Sequence, residues 1–174
     1  LPWAIRIGTF AAAADFSFNS VAKLNAAGVA VLASSSATEL SQESDALGSS
    51  YFTHHFLVGL RGAGDGDGDS RVSLDKAYRW AYNQTLVSTA ATAVGAQHVT
   101  LEVDLKGKGL VPLTYTRTSD ARLELAADLE AQVIVSKARP VVVMAEVHKS
   151  SGAAVYLVLP SGPYQVLVRA GGDL

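Results

Sequence analysis

"SYFTHHFLVGLRGAGDGDGDSRVSLDKAYRWAYNQTLVSTA", residues 50–90, decides how this chain is read. It opens on a run that sets Phe52, His55, Phe56, Gly59 and Leu60 on one face at helical spacing, with Gly62 as the stop. It closes on the clearest helical pattern in the chain. Ser73 is placed to cap that helix, and Leu74, Ala77, Tyr78, Ala81 and Thr85 form its inward stripe. Between the two, Asp65, Asp67 and Asp69 alternate with glycine. The pattern predicts a helix, an acidic loop and a second helix.

A loop of this shape raises the question of calcium. An EF-hand loop takes oxygen ligands from its first, third and fifth positions, a glycine at the sixth, a carbonyl at the seventh and a bidentate Glu at the twelfth. Asp65, Asp67 and Asp69 fill the first three, Arg71 supplies the carbonyl, and Val72 is the apolar residue that follows. Ser70 stands in place of the glycine and Lys76 in place of the Glu, which removes two ligand atoms and adds repulsion. Asp75 is the neighbouring acid that would compensate in part. The candidate metal set is therefore Asp65, Asp67, Asp69, Arg71 and Asp75, with calcium as the ion. The ordinary alternative is a solvated turn that keeps the outline of a calcium loop.

Outward from this stretch, "GVAVLASS" (28–35) is a compact apolar run that reads as a buried strand. Upstream, "FNSVAKLNAAG" (18–28) places Val21 and Leu24 at helical spacing. Downstream, "SSATELSQESDALGSS" (35–50) is a polar loop. "HVTLEVDL" (98–105) and "GLVPLTY" (109–115) read as strands joined by the turn "KGKG". Strand and helix alternate to this point, which favours an α/β layer. From about Arg117 the helical period fades. Short β-rich runs follow, separated by Lys-Ala-Arg-Pro, Lys-Ser-Ser-Gly and Pro-Ser-Gly-Pro, the pattern of a small antiparallel sandwich. The expected boundary lies near Thr116–Ala121, giving portions 1–116 and 117–174.

Composition narrows the function. The chain has 174 residues, is 49% hydrophobic and 17% charged, and has a formal net charge of −2, so it builds a core and offers no basic face to nucleic acid. It contains no cysteine, hence no disulfide, thiolate metal site or thiol nucleophile of its own. Its apolar runs are too short to cross a bilayer, and its start, with Arg6 as the one early positive charge and Asp15 close behind, is a poor signal peptide. A cytoplasmic location is expected. The chain begins with Leu1, and its one methionine is Met144, so a fragment or a product of proteolytic processing is expected.

Other constellations carry less. His54, His55, His98 and His148 have no metal-binding spacing, since neighbours on a helix point about 100° apart, and each is expected in the core or on the surface. "ASSSATELS" has no Gly-x-Ser-x-Gly elbow, so a serine hydrolase is not indicated. Glu39, Glu43 and Asp45 lie just past the carboxyl end of the first strand, where ligands bind in open α/β sheets and where acids would meet a basic group.

Taken together, "ASSS…SQES", "SYFTHH…GLRG", the acidic loop and "QH" followed by Thr100 and Glu102 resemble the second half of bacterial caspase-like cysteine peptidases, of the metacaspase and orthocaspase type. The resemblance spans about residues 15–115. It implies the latter half of a caspase-haemoglobinase αβα sandwich, the small-subunit portion, followed by an all-β module; "LPSGPYQVLV" is similar to the closing hairpin of such modules. It implies that the catalytic His and Cys lie on a separate large-subunit chain from the same precursor, so no catalytic residue is assigned here. Ser34, Ser35, Ser41 and Gln42 would line the substrate, with Ser41 and Gln42 beside its backbone. Glu39, Glu43 and Asp45 would favour a protein or peptide substrate with Arg or Lys before the cleaved bond. No cofactor is required, calcium aside. The rival readings are a non-catalytic caspase-like scaffold or regulatory module, and a calcium-binding adaptor.

Overall fold

Two serines start the two helices. Ser50 Oγ accepts the Thr53 amide at 3.2 Å and opens α1 (Tyr51–Val58); Ser73 Oγ accepts the Lys76 amide at 3.3 Å and opens α2 (Leu74–Thr89). A π-helical turn, Gly59–Ala63, continues α1, and inside it Gly62 turns to φ +113°. The structure is a computed structural model that describes residues 28–105, 112–118 and 121–170. The helix expected around Val21 and Leu24 and the "KGKG" turn lie outside these residues.

The strands are β1 (Gly28–Ala33), β2 (Glu43–Ser44), β3 (Ser49–Ser50), β4 (Arg71–Ser73), β5 (Thr100–Leu105), β6 (Pro112–Tyr115), β7 (Ala121–Leu125), β8 (Ala131–Ala138), β9 (Val141–Lys149), β10 (Val155–Leu159) and β11 (Tyr164–Ala170). They pair as β1–β5, β2–β3, β4–β6, β7–β10 and β11–β8–β9. Every pairing among the described residues is antiparallel. The fold thus mixes helices with antiparallel sheets.

One expectation changes. Alternation of strand and helix suggested a layered α/β unit, yet β1 pairs antiparallel with β5, Leu32 opposite Leu101. Two successive helices separate these strands, whereas a parallel crossover is made by one. The strands at 98–105 and 109–115 are present as β5 and β6, but β5 joins β1 and β6 joins β4. They belong to different sheets.

The cores follow from the two periods. Phe52 and Phe56 of α1 meet Val72, Leu74, Ala77 and Ala81 with Leu32 and Val99, one strand-backed helical core. Beyond residue 117, alternate residues Ala131, Val133 and Val135 lie beside Val147 and Ala145 of the paired β9 and pack in one core with Leu157 and Leu159 of β10. Val58 and Ala63, from the end of α1 and its turn, enter this second core. The change of composition near 116 therefore marks where helices give way to strands, while packing runs across it. Polar ties do the same: Gln84 Nε2 donates to the His148 carbonyl at 3.0 Å, and the His148 amide returns to Gln84 Oε1 at 2.8 Å. Among the described residues no helix is long and apolar enough to cross a membrane.

Candidate functional site

The loop after β1 is held by glutamines rather than by apolar contacts. Gln42 is buried, and its amide N–H donates to Gln97 Oε1 at 2.8 Å. Its side chain donates to the Gly95 carbonyl at 2.7 Å and accepts from Thr92 Oγ1 at 2.6 Å. Its carbonyl accepts the Tyr51 amide at 3.2 Å. Gln97, 1% exposed, donates through Nε2 to the Ser34 carbonyl at 2.5 Å and through its own amide N–H to Thr89 Oγ1 at 2.9 Å. One buried network therefore ties the start of the loop (Ser34), its middle (Gln42) and the end of α2 together. Polar groups buried in this way are stabilising only as a satisfied set.

This geometry shows what Gln42 does within the chain. A residue lying beside a substrate backbone needs its N–H free, and that of Gln42 is engaged by Gln97. It is an anchor of the loop. Ser35 and Ser41 lie half-buried ahead of it in the chain, and Ser34 contributes its carbonyl to the same anchor.

The three acids of the loop separate. Glu39 folds back onto His98: Oε2 accepts the His98 amide at 2.8 Å and Oε1 lies 2.7 Å from Nδ1. The backbone bond first, and the ring second, hold the Glu39 carboxyl below its ordinary range. Glu43 and Asp45 instead stand exposed on a hairpin in which Glu43 pairs with Ser50 and Gly48, at φ +61°, closes the turn. No described residue forms an ion pair with either. Two open carboxylates on a rigidly anchored hairpin are an arrangement that attracts a guanidinium or ammonium group. Nothing in the sequence marked Thr92, Gly95 or Gln97 as the supports; the Gln97-His98 pair was visible only as a landmark.

The acidic loop also differs from its expectation. Asp65, Asp67 and Asp69 do converge, their carboxylate oxygens within 4.8 Å of one another. Asp75 does not join them; it is exposed on α2 with Arg79 at 4.0 Å. Lys76, expected to repel a cation from the rim, reaches the centre, with Nζ 2.8 Å from Asp69 Oδ1 and 3.0 Å from the Arg71 carbonyl. Burial by itself would lower the Lys76 pKa, but the bonds to Asp67, Asp69 and Asp65 outweigh it and raise it. Lys76 holds Asp67 and Asp69 below their usual range, whereas burial pushes Asp65 up. An ammonium thus takes the point where the carboxylate oxygens meet.

Ser70 occupies the glycine position at φ +64°, in the left-handed region that costs a side-chain-bearing residue about 1–2 kcal/mol. Ser70→Gly is expected to raise unfolding stability by about 0.5–1 kcal/mol, since the relief exceeds the added freedom of the unfolded chain. Urea denaturation measures it, and a loss of stability would mean that the Ser70 side chain does something its backbone does not reveal.

A third polar cluster lies between the helices and β9. His54 Nε2 accepts the Glu146 amide at 3.0 Å, and His55 Nε2 is 2.9 Å from Ser88 Oγ. Both rings are buried, and burial is the main reason their pKa values fall, to about 4 for His54 and about 3 for His55. His148 Nε2 sits 3.6 Å from Glu146 Oε1, too far for a hydrogen bond but close enough to hold that carboxyl below its ordinary value. All four histidines are thus in the core or paired at the surface, as their spacing suggested.

Compared with protein-family models, curated proteins and solved structures, the chain has no match.

Proposed function

We propose that this chain is the small-subunit-like part of a caspase-like cysteine endopeptidase that cleaves after Arg or Lys, the latter half of an αβα sandwich extended by a β-module. The observation that supports this reading best is the anchored hairpin with Glu43 and Asp45 open to solvent. Without cysteine, the chain takes its nucleophile from elsewhere. A thiolate on the large-subunit chain attacks the scissile carbonyl, with that chain's His as base and then as acid to the leaving amine. The residues here position the substrate: a basic side chain lies against Glu43 and Asp45, and Glu39, with both carboxylate oxygens already engaged by His98, stays out of the contact.

The test is to reconstitute the two chains and compare peptides ending in Arg, Lys and Asp. Glu43→Ala with Asp45→Ala is expected to lower kcat/KM on Arg and Lys peptides by about 10- to 100-fold, roughly 1.4–2.7 kcal/mol of transition-state binding. Preference for Asp, or rates unmoved by both substitutions, would overturn the pocket. One observation favours a second reading, a non-catalytic scaffold: the Gln42 amide is closed within the chain, which removes one partner for an added substrate strand. Absence of turnover with a partner chain bearing intact His and Cys would select it.

A further inference from the structure

The geometry points to Lys76 as the resident cation of the acidic loop: its tethered ammonium takes the place of a divalent ion, so the helix–loop–helix is closed without metal. The carboxylates alone would not say this. The lysine does. Its Nζ lies 2.5 Å from Asp67 Oδ1, 2.8 Å from Asp69 Oδ1, 3.0 Å from the Arg71 carbonyl and 3.4 Å from Asp65 Oδ1. These four oxygens come from the first, third, fifth and seventh positions of an EF-hand loop, and Lys76 comes from the twelfth. Where a calcium loop closes on itself by a Glu that binds the ion, this loop closes by the ion surrogate itself.

The placement is held by the start of α2. Lys76 lies in the first turn, where the positive end of the helix disfavours a cation. The Ser73 cap takes its amide, and its side chain leaves the helix to lie over the loop, 15% exposed. What outweighs the helix end is the convergence of three carboxylates on three N–H donors. The pairing also accounts for Asp65, whose side chain is only 7% exposed while its carboxylate bonds both Lys76 and the Ser70 amide.

Three proteins test this by thermal denaturation in chelator and in millimolar calcium. The natural chain is expected to keep the same midpoint in both and to give no saturable calcium titration by calorimetry. Lys76→Glu restores the missing bidentate ligand. It is expected to fall by several degrees in chelator and to recover with calcium, with a Kd between about 10⁻⁵ and 10⁻³ M. If it folds only once calcium is added, that outcome supports the proposal in a stronger form. Lys76→Gln removes the ammonium without supplying a ligand, so it is expected to lose stability in chelator and regain little. A calcium-dependent midpoint in the natural chain, or a Lys76→Glu chain indifferent to calcium, would overturn the proposal. Acylation of the natural chain adds a separate reading: Lys76 should react at least about tenfold more slowly than the half-buried Lys137, because its ammonium is held protonated. Equal rates would count against it. None of these readouts uses peptidase activity, so they stand whether or not the proposed function does.

Discussion

Between about pH 7 and about pH 4.5 the protein is expected to lose on the order of 5 kcal/mol of unfolding free energy, most of it from His54 and His55. In the unfolded chain each imidazole takes up a proton near its ordinary value of 6.5, whereas in the folded chain His54 does so at about 4 and His55 at about 3. Through this window the unfolded state binds more protons than the folded one, so stability falls as pH falls and is full above about 6.5. The physical cause is first the loss of water around both rings. After it come the neighbours that face them: His54 and His148 disfavour a charge on His55, Arg61 disfavours one on His54, and Glu146 favours both. Glu146 adds loss of the same sign at lower pH, because its carboxyl is held below its ordinary value by His148 and Gln132. Against the roughly 5–15 kcal/mol of a natural domain, this is about a third or more of the total. Urea melts taken at intervals of pH give the slope. His55→Leu should remove one proton's worth of it at a fixed cost near neutral pH. A midpoint constant down to about pH 4.5 would mean that water reaches the rings.

The same cluster shows what was and was not legible in the sequence. Period and caps located both helices: Ser73 begins α2 as read, and of the stripe Leu74, Ala77, Tyr78, Ala81 and Thr85 all but the half-buried Tyr78 are buried. The strands at 28–33, 100–105 and 112–115 and the β-rich tail were also readable, from short apolar runs between turn residues. Partnership was not. Pairing is set by the three-dimensional path of the chain, so nothing local told β5 to join β1 or β6 to join β4. Buried polar residues were missed for a related reason. Gln42, Gln84 and Gln97 carry the ties between segments, but a glutamine alone is the expected surface residue until its partner is known. The acidic loop shows the limit from the other side. Its ligand spacing was correctly placed, and the sign of Lys76 was read as a defect because a linear pattern does not say where a long side chain ends.

Gly62→Ala is expected to cost about 2–5 kcal/mol, a large effect for the addition of a single methyl group. Two terms add. At φ +113° a residue with a side chain is strained by about 1–2 kcal/mol or more. The added Cβ would also stand 2.9 Å from the Tyr156 carbonyl oxygen and 3.3 Å from Thr116 Cγ2. The first of these is backbone of β10, paired to β7, so it cannot swing aside as a side chain end would, and overpacking of this kind costs about 1–3 kcal/mol. Gly62 is therefore where the turn after α1 lies directly against the β-rich segment, one residue from Arg61, which donates to the Met144 carbonyl. Gly66 is the control within the same segment: no atom lies within 4 Å of a Cβ there and its φ is not positive, so Gly66→Ala should be neutral within about 0.5 kcal/mol or slightly stabilising. Guanidinium denaturation of the two variants separates contact from loop entropy, because only the first position touches the strands. If Gly62→Ala matched Gly66→Ala, the close approach of the π-helical turn to β10 would be wrong. The attachment of the helices to the strands would then rest on Val58 in the second core and on the bonds made by Arg61, His54 and Gln84.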